Sequence, residues 1–168
     1  MPNYLPRKEN SVKVRRDVMT DERFQLRAMS TGDIATVMPM EHDLFAEQAW
    51  SPFMLREEIV DTNTRWYVVA LDGDEIVGYA GLAAYRYEAH VLTVGTRKDR
   101  QRQGIGRLLL RALLGEADRR KAERVLLEVR SDNGAAIALY ETEGFAAVGI
   151  RKGYYQPGNH DAVVMIRE

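Results

Sequence analysis

Apolar and polar residues alternate in several short runs of the first half of the chain, which is the pattern of half-buried strands. The runs that predict strands lie at residues 24–27, 66–71, 76–82 and 89–96. Residues 72–74, Asp-Gly-Asp, join the second and third of these strands as a hairpin. Helical spacing from Ile34 to Phe45, and a helix start at Ser51-Pro52, predict two helices between the first two strands.

The second half of the chain alternates helices with strands. A long amphipathic helix is predicted from Ile105 to Ala117, and a shorter helix opens at Asn133 and ends at Gly144. The remaining predicted strands lie at residues 125–129, 145–155 and 162–166. Antiparallel hairpins followed by βαβα units predict an α/β (α+β) fold, with a single domain in which helices flank a mixed central sheet.

Length and composition narrow the class of protein. The 168 residues, 45% of them hydrophobic, suit one domain with a sizeable core. The absence of cysteine excludes a disulfide scaffold, a zinc–cysteine site and thiol catalysis. His42, His90 and His160 lack metal-ligand spacing, so no metal site is predicted. No apolar run has the length of a membrane span and residues 1–20 lack a signal-peptide core, so a cytoplasmic location is predicted.

Charge is distributed unevenly along the chain. The 24 Lys and Arg residues nearly balance 25 Asp and Glu residues, which excludes a uniformly basic protein that coats nucleic acid. Residues 1–22 are basic and contain few large apolar side chains, and they are predicted to form a loosely ordered extension to a domain at 23–168. Residues 97–107 carry five basic side chains and one acidic one, which predicts a local anion site.

The segment with the strongest motif is Gln-Arg-Gln-Gly-Ile-Gly-Arg at residues 101–107, between a predicted strand and a predicted helix. Glycines let backbone N–H groups approach a ligand, and a helix N-terminus supplies unpaired N–H groups, so the segment is typical of a phosphate or pyrophosphate site. A P-loop is excluded because Arg107-Leu108 follows Gly106, and Leu109 departs from the dinucleotide-binding fingerprint. A plain tight turn is the alternative, but it would not need the neighbouring arginines.

Glu128 and Tyr140 are the candidates for proton transfer. The strand at 125–129 is predicted to be buried on both faces, where a carboxylate is costly unless it is paired or faces a cavity. Glu128 is therefore either a general base or the partner of Arg130 or another arginine. Asn133 can cap the following helix and could also reach a ligand. Tyr140, two turns further along the same face, either packs in the core or donates a proton.

These motifs resemble those of the GNAT superfamily of acyl-CoA N-acyltransferases. The cofactor motif of that superfamily, Arg/Gln-x-x-Gly-x-Gly/Ala, is matched by Gln101, Gly104 and Gly106. Over the predicted domain the chain is similar to the RimI-type ribosomal-protein-alanine N-acetyltransferases, most specifically at residues 127–133 and 151–155. The resemblance implies transfer of an acetyl group from acetyl-CoA to the N-terminal alanine of the eighteenth small-subunit ribosomal protein. The transfer requires no metal, and no membrane partner is expected. A ribosome-binding protein that uses residues 97–107 on RNA is disfavoured because that segment has no aromatic side chains for base stacking, so no direct nucleic-acid binding is expected.

The resemblance also implies roles for individual residues. Glu128 would be the general base and Tyr140 the general acid, while Trp50 and Tyr155 would border the acceptor. The residues implied to bind the cosubstrate are Val94, Gly95, Thr96, Arg102, Gln103, Gly104, Ile105, Gly106, Arg107 and Asn133. Two alternatives stay open: an acetyltransferase of the same fold for another amine, such as a lysine, another N-terminus or a small molecule, or a non-catalytic CoA-binding module.

Overall fold

The computed structural model describes residues 23–168, so the predicted extension at 1–22 lies outside the described residues. Within the described range there are seven strands and four α-helices. The strands are β1 Gln25–Ala28, β2 Arg65–Asp72, β3 Glu75–Ala84, β4 Glu88–Thr96, β5 Arg124–Arg130, β6 Ala146–Tyr155 and β7 His160–Arg167. The helices are α1 Ile34–Phe45, α2 Pro52–Val60, α3 Ile105–Arg119 and α4 Gly134–Thr142. Every predicted strand and helix is confirmed, with shifts of a few residues at the ends.

The strands form one mixed sheet in the order β1-β2-β3-β4-β5-β7-β6, which confirms the predicted fold class. All neighbouring strands are antiparallel except β4 and β5, which are parallel. The β4–β5 ladder is short and runs only from Glu88 opposite Arg124 to His90 opposite Leu126. Beyond that point the two strands are not paired with each other, so the sheet opens between residues 91–96 and 127–130.

Local signals in the sequence explain where the helices start. The Ser51 hydroxyl accepts a hydrogen bond from the Met54 N–H at 3.1 Å, and Pro52 occupies the first turn of α2. The Asn133 side chain accepts from the Ala136 N–H at 3.2 Å and caps α4. Gly104 precedes α3 with φ +83°, a conformation that favours glycine. These contacts confirm the predicted helix starts.

Each face of the sheet packs against its own pair of helices. One core cluster joins α3 and α4 to the sheet and includes Leu109, Leu113 and Leu127, while the second cluster joins α1 and α2 to β2, β3 and β4. In β5, burial alternates, because its odd-numbered residues face α3 and its even-numbered residues are half-buried. The prediction that the strand is buried on both faces is therefore wrong: the second cluster draws none of its residues from β5.

Candidate active site

A cavity of about 320 Å³ lies where β4 and β5 diverge. Its walls come from α1 and the segment that follows it, from β4 and β5, from α4 and from the end of β6. Six of the predicted site residues line it: Trp50, Val94, Glu128, Asn133, Tyr140 and Tyr155. The structure thus brings together residues from five parts of the chain that are far apart in sequence.

The other predicted residues lie beyond the cavity and do not line it. They are Gly95, Thr96 and residues 102–107. Gly95 and Thr96 continue β4 beyond the cavity wall. A Cβ added to Gly106 would lie 3.6 Å from the Thr96 hydroxyl oxygen and 3.7 Å from a methyl group of Leu139 in α4. The glycine turn therefore packs against the end of β4 and against α4, directly beyond the cavity.

The start of α3 presents backbone donors. Leu108 is the first residue whose N–H donates within the helix, to the Gly104 carbonyl at 3.0 Å. The N–H groups of Ile105, Gly106 and Arg107 come before that bond and have no intrahelical acceptor. Together with the positive end of the helix dipole, these donors suit an anion such as a phosphate group.

Two arginines before the turn have a different role from the predicted one. Arg97 donates to Glu75 at 2.6 Å and to Asp99 at 2.6 Å, and Arg100 pairs with Asp72. Their side chains connect the segment to the β2–β3 hairpin. The sequence predicted one anion site that uses all five basic side chains of residues 97–107. That prediction is wrong for Arg97 and Arg100.

The two arginines within the turn differ from each other. Arg107 donates to Glu143 at 2.6 Å, whereas no carboxylate within residues 23–168 pairs with Arg102. Arg102 also adopts φ +63°, the left-handed conformation, at the tightest part of the turn. Of the arginines at 97–107, Arg102 is therefore the one that no carboxylate among the described residues neutralises, so its charge is available to a ligand.

Glu128 faces the cavity as a half-buried carboxylate, with 21% of its side chain exposed. The nearest cation is Arg151, whose Nη2 lies 3.7 Å from Glu128 Oε1, beyond hydrogen-bond distance. The predicted alternative partner Arg130 instead binds Asp132 at 2.7 Å. Among residues 23–168 no side chain or N–H group donates a hydrogen bond to Glu128, so its oxygens are open to the cavity.

Tyr140 reaches the cavity from α4. Its ring packs edge to face on Phe145, with the ring centroids 5.9 Å apart. Burial raises the pKa of Tyr140 to about 12, because the phenolate would be poorly solvated there. At that pKa the hydroxyl stays protonated at neutral pH. Within the described part of the chain it has no hydrogen-bond partner, so it is able to donate into the cavity.

Trp50 and Tyr155 line the cavity from the segment after α1 and from the end of β6. The Trp50 ring packs on Tyr67 at a centroid distance of 6.5 Å, and the Tyr155 ring packs edge to face on Tyr154 at 5.0 Å. Gln48 donates to the Gln156 carbonyl at 3.3 Å, which links the segment before Trp50 to the β6–β7 hairpin. Both predicted acceptor residues therefore border the same opening.

Sequence reasoning assigned no function to Glu41, which also lines the cavity and is only 5% exposed. Its neighbours on the buried face of α1 are apolar, among them Ile34, Val37 and Met38. A glutamate at a position where the helical period requires an apolar residue was the signal that could have identified it.

Residues 23–168 lack two features that would bear on the chemistry. No helix there is long and apolar enough to cross a membrane. No group of three or more His, Asp or Glu side chains in that range could hold a metal ion.

Comparisons with known proteins agree with this geometry. Residues 34–145 match the acetyltransferase (GNAT) family. Over 154 residues the chain is 37% identical to the N-alpha-acetyltransferase RimI of Mycobacterium tuberculosis, an alignment that covers 88% of this chain and 94% of that protein. The crystal structure of the ribosomal-protein-S18-alanine N-acetyltransferase from Escherichia coli matches with a TM-score of 0.78 at 29% identity, over 86% of this chain and 92% of that one. Arabidopsis thaliana NAA60 in complex with acetyl-CoA has the same fold, with a TM-score of 0.75 at 17% identity over 85% and 97% of the two chains.

Proposed function

The chain belongs to the acetyltransferase (GNAT) family and is an acetyltransferase of the RimI type, and we propose that it acetylates a protein N-terminal amine with acetyl-CoA. The proposed acceptor is the N-terminal alanine of the eighteenth small-subunit ribosomal protein. The observation that carries the proposal is the cavity between β4 and β5, which is lined by the Tyr140 phenol and by the Glu128 carboxylate, to which no described residue donates a hydrogen bond.

Acetyl-CoA, which supplies a thioester as the acyl donor, fits the region from the turn to the cavity. The N–H groups of residues 105–107 and the Arg102 side chain would hold its pyrophosphate. Val94, Gly95 and Thr96 would contact its extended arm, because this part of β4 has no ladder with β5 and leaves backbone groups free on that side. Asn133, at the start of α4, would contact the cosubstrate at the cavity.

Two proton transfers are assigned to the chain's own residues. An amine attacks the thioester carbon only as the neutral form, and Glu128 would accept its proton through a water. As the carbon–sulfur bond breaks, Tyr140 would donate its proton to the departing thiolate. A backbone N–H of β4 near Val94 or Gly95 would stabilise the oxyanion that forms between these events.

The acceptor range has a second candidate. The Escherichia coli neighbour is named for the S18 alanine, whereas the Mycobacterium tuberculosis relative is named only for an N-alpha amine. That name does not restrict the acceptor to one protein, so other protein N-termini are the second candidate. With an acceptor among ribosomal proteins, we expect the reaction to occur in the cytoplasm.

A peptide panel tests the proposed function. Purified protein would be incubated with acetyl-CoA and with peptides that begin with alanine, with other residues, or with a blocked N-terminus and a free lysine. We expect mass spectrometry to place the acetyl group on the α-amine of the alanine peptide from S18 and to find the blocked peptide unmodified. Acetylation of lysine or small amines alone would overturn the acceptor assignment, and CoA binding without any turnover would indicate a non-catalytic module.

A further inference from the structure

Glu41 is a buried carboxylate for which the proposed chemistry has no use. It lies in α1, and both of its oxygens accept hydrogen bonds. Oε1 accepts from the backbone N–H of Trp50 at 3.1 Å, and Oε2 accepts from the Tyr79 hydroxyl. Because a buried carboxylate is costly unless its oxygens are bonded, the two donors explain how Glu41 is accommodated. They also connect α1 to two different walls of the cavity.

The first of these walls is the segment after α1. The chain leaves the helix at Ala46 with φ +46°, a conformation that costs free energy in a residue with a Cβ. Four residues later the Trp50 N–H reaches Glu41, and the Trp50 ring packs on Tyr67. The bond to Glu41 therefore fixes the end of a segment that would otherwise relax away from this turn.

The second wall is β4. Tyr79 is fully buried in β3, where it pairs with Gly95 of β4. A Cβ on Gly95 would lie 2.8 Å from the Tyr79 ring and 3.0 Å from a methyl group of Leu44, so only glycine fits there without displacing the ring. Burial and the Glu41 carboxylate raise the pKa of Tyr79, which keeps its hydroxyl a donor to Glu41. The Tyr79 ring is held by its packing against Gly95, so its hydroxyl anchors Glu41, and with it α1, to the sheet beside β4.

We propose that Glu41 is a positioning residue for the acceptor, because it holds Trp50 and the segment at 46–50 in register with β4. The inference rests on the proposed function, in which Trp50 borders the acceptor and β4 borders acetyl-CoA. Glu41 does not touch the reacting atoms in this proposal. Its loss should weaken acceptor binding while the chemical step, carried by Glu128 and Tyr140, proceeds at nearly the same rate.

The test compares three variants of the full chain in steady-state kinetics with the alanine peptide and acetyl-CoA. Glu41→Leu removes both acceptor oxygens, and we expect the KM for the peptide to rise about tenfold with kcat and the KM for acetyl-CoA nearly unchanged. Glu41→Gln keeps one oxygen for the Trp50 N–H and should rescue most of that loss. Asp43→Asn, an exposed carboxylate on the same helix, is the matched control and should behave as the wild type.

Several outcomes would overturn the proposal. One is an unchanged peptide KM in a folded Glu41→Leu protein. A second is a fall in kcat alone, and a third is an equal rise in the KM values of both substrates. If the leucine variant does not fold, Tyr79→Phe decides, because it removes only the hydroxyl that donates to Glu41, and an unchanged peptide KM there would refute the proposal.

A readout that does not depend on turnover separates this inference from the proposed function. The chain has two tryptophans, so Trp66→Phe leaves Trp50 as the single tryptophan, whose emission can be excited selectively. In that background we expect Glu41→Leu to make Trp50 more accessible to acrylamide, and Asp43→Asn to leave it unchanged. Unchanged quenching in the leucine variant would refute the inference even if the enzyme acetylates its peptide. Failure of the wild type to acetylate any peptide would instead refute the proposed function.

Discussion

Two glutamates line one cavity from different elements of the fold, and they differ in burial and in hydrogen bonding. Glu41, on the α1 wall, is 5% exposed and accepts a hydrogen bond at each oxygen. Glu128, on the β5 wall, has 21% of its side chain exposed and accepts none from the described residues. A carboxylate that is fully bonded within the fold can hold structure in place. A carboxylate with open oxygens can take a proton from a substrate.

The largest effect that would test this contrast is expected from Glu128→Gln. The amide cannot accept the proton of the amine, so kcat at pH 7 should fall by about 10³. Because Glu128 accepts no hydrogen bond from residues 23–168, acetyl-CoA binding and thermal stability should stay close to those of the wild type. Steady-state kinetics, calorimetric titration and thermal unfolding would measure the three quantities.

The matched control for that variant is Glu123→Gln, an exposed carboxylate in the loop before β5. It should leave kcat, binding and stability unchanged. Full activity of Glu128→Gln at pH 7 would exclude Glu128 as the base. A large loss of stability would show that Glu128, like Glu41, holds the fold together.

A smaller effect is expected from Tyr140→Phe, which tests the proton donor opposite Glu128. Loss of the hydroxyl should lower kcat by about 10², with Tyr87→Phe, an exposed tyrosine outside the cavity, as the unaffected control. The raised pKa of about 12 also has a consequence for the wild type. An acid acts in its protonated form, so deprotonation of Tyr140 should not reduce kcat below about pH 11, which a pH profile from 7 to 10 would check.

The smallest effect is expected from Arg151→Gln, which asks whether Glu128 is open or paired. The guanidinium is 57% exposed and lies 3.7 Å from the carboxylate, so solvent screens the interaction. We expect the free energy of unfolding to change by less than about 0.5 kcal/mol and kcat to change less than about threefold. A loss of kcat as large as that of Glu128→Gln would show that Arg151 takes part in the reaction as the partner of Glu128.

The sequence predicted which residues lie near one another better than it predicted their environments. Six of them meet at one cavity, and the cap at Asn133 is present as expected. The predicted environment of Glu128 was wrong, because the run of apolar residues at 125–129 does not reveal whether a helix covers each face of the strand. The anion site was partly wrong, because Arg97 and Arg100 find carboxylates on a hairpin more than twenty positions earlier.

What the sequence determined by itself is local: the strands, the helices, their starts, and the glycine turn with its unpaired N–H groups. These depend on side-chain period, capping side chains and the φ of single residues, all of which act within a few positions along the chain. Tertiary structure alone decided where β4 leaves β5, which opens the cavity, and which of the two glutamates accepts hydrogen bonds from residues 23–168. The Glu41–Tyr79 bond joins residues 38 positions apart, and such a contact forms only when helix and sheet pack, because burial and non-local pairing belong to the folded chain as a whole.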